Sequence, residues 1–126
     1  MTTMVCFESG GVAYCVPVEA TRAVRPATGI VALPAPRPDV AGMIPGQPPM
    51  TVISVLGASG GQILVMETGG AKFGLLVDSV TGLRRIDDSD IHPAPDGQDR
   101  ALVSGTIDSD GDLVFVTDPD AFAARL

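Results

Sequence analysis

Tryptophan is absent from this 126-residue sequence, and aromatic residues make up only 4% of it. Any core must therefore be mostly Val, Ile, Leu and Ala. Hydrophobic residues reach 45%, which excludes a chain disordered throughout. Bases are also scarce, with 8 against 15 acids, a net charge of −7, and no basic run longer than Arg84-Arg85. A nucleic-acid backbone or an anionic membrane would be repelled on average. The N-terminus lacks the basic-then-apolar order of a signal peptide. No apolar run approaches the roughly 20 residues of a spanning helix. The longest uncharged stretch, the 27 residues from Val40 to Met66, is broken by Pro45, Pro48, Pro49 and five glycines. Two cysteines and no export signal point to a reducing cytoplasm.

What is abundant is chain punctuation: 15 Gly and 11 Pro, about one residue in five, without a collagen period. That density predicts many short strands and turns rather than long helices. The length suits one compact domain, or two very small halves sharing a core.

The sequence also repeats itself. Glu8 to Glu19 lies beside Glu67 to Asp78 at an offset of 59, with the acid, both glycines and a Val matched. The same offset carries Val24-Arg25 onto Leu83-Arg84 and Pro34-Ala35-Pro36 onto Pro93-Ala94-Pro95. After a four-residue insertion the offset is 63: Val40–Ile44 meets Val103–Ile107, and Met50–Ile53 meets Leu113–Val116. Five matches in one order make chance a poor explanation. A solenoid needs at least three repeats, so two repeats, about 4–55 and 63–118, suggest paired β-units within a single domain over residues 1–126. Neither unit is large enough to be comfortable alone.

Each unit opens with a hairpin. Met4 to Ser9 and Val12 to Val16 flank Gly10-Gly11, and Gln62 to Glu67 and Ala71 to Val77 flank Gly69-Gly70. Both residues of such a turn can take positive φ. Val5, Phe7, Tyr14 and Val16 can share one face, while Leu75-Leu76-Val77 reads as a strand covered on both sides. Glu19 to Arg22 and Asp78 to Thr81 read as single helical turns or bends. Short strands follow at Val24-Arg25, Leu83 to Ile86, Val40 to Ile44, Met50 to Val55, Leu102 to Ile107 and Leu113 to Thr117. The Pro-rich segments 34–38 and 93–95 read as loops. Asp118-Pro119 starts a short final helix, with Asp as N-cap and Pro in the first turn. Roughly ten short strands in two units imply two small barrels packed together.

No constellation for catalysis emerges, and the chain is expected not to be an enzyme and to need no cofactor or metal. Cys6 and Cys15 lack the further ligands of a metal site. Pairing across Gly10-Gly11 places them opposite each other in a non-hydrogen-bonded pair, where side chains come closest; two reduced thiols are the expectation. His92 sits in a His-Pro-Ala-Pro loop with no nucleophile elbow in the sequence. Asp108-Ser109-Asp110-Gly111-Asp112 resembles a calcium loop, but Thr117 stands where the bidentate Glu belongs, so it reads as a hairpin turn. Gly57-Ala58-Ser59-Gly60-Gly61 lacks the Lys-Ser/Thr and the helix of a phosphate cradle and reads as a linker.

Phe7-x-x-Gly10-x-x-x-Tyr14-x-Val16, Leu33-Pro34, Val40-x-Gly42-Met43-Ile44, Gly74-Leu75-Leu76-Val77-Asp78-x-Val80, Pro93 and Leu102-x-x-Gly105 together resemble the CheW-like domain family. The resemblance implies an all-β fold of two small five-stranded SH3-like β-barrels around a shared hydrophobic core. It implies a cytoplasmic adaptor between chemoreceptor tips and the CheA histidine kinase. The receptor-facing groove would be lined by Thr21, Val24 and Val80, and the kinase-facing surface would include the neighbourhood of Gly42 and Gln47. Where the family continues Asn-Leu-Arg-Gly, this sequence has Pro45-Gly46-Gln47-Pro48, so Gln47 replaces the Arg. The family's Val-Ile-Asp-Leu-Arg is likewise replaced, by Ile53-Ser54-Val55-Leu56-Gly57. A scaffold for another signalling or motility apparatus, or a small-molecule-binding barrel, are the alternative readings.

Overall fold

The computed structural model describes residues 1–57, 59–94, 96–97 and 101–126. Ala58 of the glycine-rich connector and Pro95 of the second Pro-rich segment lie outside the described residues. Ten strands are seen among the described residues: β1 Thr2–Ser9, β2 Val12–Pro17, β3 Thr21–Pro26, β4 Val40–Ile44, β5 Met50–Ile53, β6 Gln62–Thr68, β7 Ala71–Val77, β8 Ser79–Ile86, β9 Val103–Ser109 and β10 Asp112–Thr117. One short helix, α1 Pro119–Ala123, follows.

Gly10 and Gly11 have φ of 59° and 78°, and Gly69 and Gly70 of 56° and 81°. These are the paired positive values a two-residue hairpin turn needs. The bend expected over Asp78 to Thr81 is confined to Asp78, and β8 starts at Ser79. Its apolar alternation is too weak to reveal the strand, which forms because β1 lies alongside to pair with it. The Asp118 carboxylate accepts from Asp120 N–H at 2.9 Å and caps α1, the arrangement that favours Asp before Pro.

The strands form two five-stranded sheets, ordered β8-β1-β2-β10-β9 and β3-β6-β7-β5-β4. The fold is all-β, as the resemblance implied, but the sheets are not the repeats. The hairpin β1–β2 of the first repeat pairs with β8 and β10 of the second, and β9 adds to β10 at the edge. The hairpin β6–β7 of the second pairs with β3 and β5 of the first, and β4 adds to β5 at the edge. Each sheet thus borrows its hairpin from the other half.

The irregularities repeat as well. Thr21↔Met66 steps to Ala23↔Val65 in one sheet, and Phe7↔Val80 steps to Cys6↔Gly82 in the other. Arg22 and Thr81, matched at the offset of 59, are the extra residues of the two bulges. Such bulges re-aim the side chains beside them.

Three apolar clusters result. One fills each sheet's concavity: Met4, Cys15, Ile86, Ile107, Val114 and Val116 in the first, Ile44, Val52, Ile63 and Val65 in the second. The third lies between the sheets and draws on both, with Val5, Phe7 and Val16 from one meeting Leu64, Met66, Phe73 and Leu75 from the other. Phe122 of α1 is fully buried against it.

Candidate functional site

The junction of the two sheets carries an open apolar cleft of about 220 Å³. Its sides are β3 and β8, the edge strands of opposite sheets. Val5 and Leu64, 6% and 1% exposed, are its deepest side chains. Thr21 and Val24 line one side, and Val80 and Leu83 the other. The three residues expected to form a receptor-facing groove are therefore brought together. Val24 is 46% exposed and Leu83 70%, so neither is core. Val80 is half-buried and packs against the central cluster. Thr21 Oγ1 donates to the Val18 carbonyl at 2.8 Å, which satisfies its hydroxyl within the chain.

Sequence reasoning missed Leu83 as a site residue. The signal was available: adding 59 to Thr21, Val24 and Val5 gives Val80, Leu83 and Leu64. With Ala23 and Gly82, the cleft is lined by four repeat-matched pairs and sits where the two halves face each other. At its rim, Arg22 is held in place, donating from Nη1 to the carbonyls of Glu19 and Thr21 at 2.7 and 3.0 Å. Its Nε lies 3.5 Å from the Glu67 carboxylate.

The expected kinase-side pair is split by depth. Gln47 is exposed and lines a second cleft of about 240 Å³ with Arg25, Ile44, Pro45, Pro48, Pro49, Met50 and Lys72. Gly42 is buried under the backbone of a neighbouring segment. Val31 N–H donates to the Met43 carbonyl at 2.8 Å, and Met43 N–H donates back at 2.9 Å. A Cβ on Gly42 would lie 2.3 Å from the Val31 carbonyl oxygen. Gly42 therefore shapes the backbone behind the surface rather than contributing a side chain to it.

The sequence model of the CheW-like domain matches residues 45–126, about two thirds of the chain. The chain belongs to the CheW-like domain family. That family is one of scaffolds and adaptors, not enzymes. No curated protein matches by sequence. Among solved structures, the scaffolding protein TtCheW from Thermoanaerobacter tengcongensis superposes with a TM-score of 0.83 at 24% identity. The match covers 93% of this chain and 84% of that one; at that identity it speaks for the fold.

Several residues of the CheW-like motif acquire physical roles. Gly105, the repeat partner of Gly42, meets the same kind of crossing: His92 and Thr106 exchange two backbone hydrogen bonds at 2.8 Å, and a Cβ on Gly105 would lie 2.8 Å from the His92 carbonyl oxygen. His92 is thus an exposed residue in a backbone bridge. Asp78 joins the first hairpin turn to the glycine-rich connector by accepting from Gly10 N–H, Ser59 N–H, Ser59 Oγ and Gly60 N–H. The acidic stretch at Asp108–Asp112 is a hairpin turn, with Asp110 at φ 52° and Gly111 N–H donating to Asp108 Oδ1 at 3.1 Å. Cys6 and Cys15 are directly opposite each other and free. Burial pushes the Cys15 thiol up to about 12, helped by the neighbouring Cys6, and raises Cys6 as well. Both shifts favour the protonated thiol. No described helix is long and apolar enough to cross a membrane.

Proposed function

We propose that the chain is a non-enzymatic adaptor of chemotaxis-type signalling that joins the cytoplasmic tips of chemoreceptors to a CheA-type histidine kinase. The observation that carries this reading is the pair of exposed apolar side chains, Val24 and Leu83, facing each other across a cleft with an apolar base. An exposed apolar patch of this kind marks an interaction site, and a helix laid in a groove is the mode it suits. Thr21, Val24, Val80 and Leu83 form the receptor side. Gln47, shaped from behind by Gly42, belongs to the kinase side. Such an adaptor works in the cytoplasm.

Covering Val24 or Leu83 with a partner is worth roughly 1–2 kcal/mol apiece, close to a factor of ten in affinity each. Leu83→Asp should weaken binding to a receptor-tip peptide by at least about tenfold. Its melting temperature should change little, because the side chain is already in water. A folded Leu83→Asp protein that binds the peptide with full affinity overturns the assignment. Val80→Asp separates the two roles of the cleft: Val80 packs on the central cluster, so this variant should lose stability as well as binding. The replacement of the family Arg by Gln47 favours a second reading, a scaffold for another signalling apparatus. Reconstitution with receptor and kinase decides between them. Kinase coupling that appears only in Gln47→Arg supports the second reading, and coupling in the parent chain supports the first.

A further inference from the structure

We infer that the cleft beside Gln47 docks an acidic segment of a partner protein, one that presents an apolar anchor side chain next to carboxylates. Its volume is about 240 Å³, below the range of about 300–1,000 Å³ typical of small-molecule pockets. It suits one side chain of a peptide better than a free metabolite. Ile44 and Met50 supply apolar surface, and Pro45, Pro48 and Pro49 make a stiff wall that offers no backbone donors. Arg25 on β3 and Lys72 on β7 bring two positive charges to the same cleft. Neither is ion-paired among the described residues, whereas Arg22 and Arg125 pair with Glu67 and Asp39. In a chain of net charge −7, two unpaired cations beside an apolar recess form a local positive site, complementary to an acidic ligand.

The repeat supplies a control within the molecule. Arg25, Ile44 and Met50 match Arg84, Ile107 and Leu113, but Pro45 and Gln47 match Asp108 and Asp110. The equivalent corner of the other sheet keeps the apolar pair and one cation, has Ala13 in place of Lys72, and adds three acids, since Pro49 matches Asp112 as well; it would repel the same ligand. This inference rests on the kinase-side reading only in taking the Gln47 face as an interface.

The test uses the whole chain and a random peptide library displayed on phage, selected in parallel on the parent and on the double variant Arg25→Glu/Lys72→Glu. Peptides held by the parent and lost by the variant should carry Asp or Glu beside Leu, Ile or Phe. Their synthetic forms should bind at least about tenfold more weakly in about 500 mM than in about 50 mM NaCl. Arg25→Ala/Lys72→Ala, which adds no new charge, should lose the same peptides, and Leu83→Asp should keep them. Selected peptides without acids, binding indifferent to salt, or no peptide that distinguishes parent from variant overturns the inference. Its fate is separable from that of the kinase-side reading. Kinase coupling that responds to Gln47→Arg, alongside peptide binding untouched by charge reversal, sinks only the acidic-segment inference. Peptide binding lost on charge reversal, with kinase coupling indifferent to every variant, sinks only the kinase reading.

Discussion

The Asp78 carboxylate reaches two stretches of chain that are far apart in sequence. The hydroxyl of Ser59, then the backbone N–H groups of Gly10 and Ser59, hold its pKa below the ordinary carboxylate value. A lowered folded-state pKa means that ionised Asp78 favours the folded state. Its contribution is complete above the unfolded-state pKa, near 4, and is lost as pH falls through the lower folded value. Asp78→Asn should therefore flatten the dependence of melting temperature on pH below about 4. The neutral amide can still accept some of these bonds, so the variant should remain folded at pH 7. Parallel melting curves for the two proteins across that range would contradict the role given to Asp78. The sequence marked Gly57 to Gly61 as a linker and Asp78 as a motif residue. It could not show that one anchors the other, because the contact exists only once β7 and the first hairpin turn lie side by side. The facing of Cys6 and Cys15, by contrast, was legible, because a two-residue turn dictates the count outward from itself.

At the scale of elements, local pattern found nearly every strand, and the misses share a cause. The starts of β3 and β8 and the backbone bridges at Val31 and His92 have no apolar alternation of their own; their pairing partners define them. Gly42 and Gly105 are the sequence trace of those bridges, since each lies under a crossing backbone. Gly42 has φ 154° as well as a carbonyl oxygen 2.3 Å from where a Cβ would sit. Gly42→Ala should cost on the order of 2–3 kcal/mol, from backbone strain and crowding together. Urea unfolding measures this as a lower midpoint at unchanged slope. An unshifted midpoint would show that the Val31 segment yields freely and does not constrain β4. The cleft was legible in the same partial way. Thr21, Val24 and Val80 came from resemblance, whereas Leu83 needed the repeat to be applied to the site itself.

The whole molecule is held together by the exchange of hairpins between its halves. Cutting the chain after Gly57 leaves β1–β5 on one fragment and β6–β10 on the other, each with a hairpin separated from the sheet it belongs to. Neither fragment should fold as a monomer, and mixing them should restore the circular dichroism and the one-to-one mass of the intact protein. A fragment that folds alone as a monomer would show that the exchange is dispensable. The same topology explains why units of this length are too small to stand alone: the central cluster needs Phe7 from one half and Met66 from the other. Closed by itself, a half-chain with this exchange would have to meet a second copy about a twofold axis, and every surface it showed would be shown twice. Joining both copies through one connector removes that obligation. The interior has kept its matched pairs, Val5 with Leu64 and Val16 with Leu75. The exterior has drifted apart, with Val24 across from Leu83, and Pro45 and Gln47 answered by Asp108 and Asp110. A strictly symmetric object can only bring like to like. Divergence between the two ends frees a single small polypeptide from that limit.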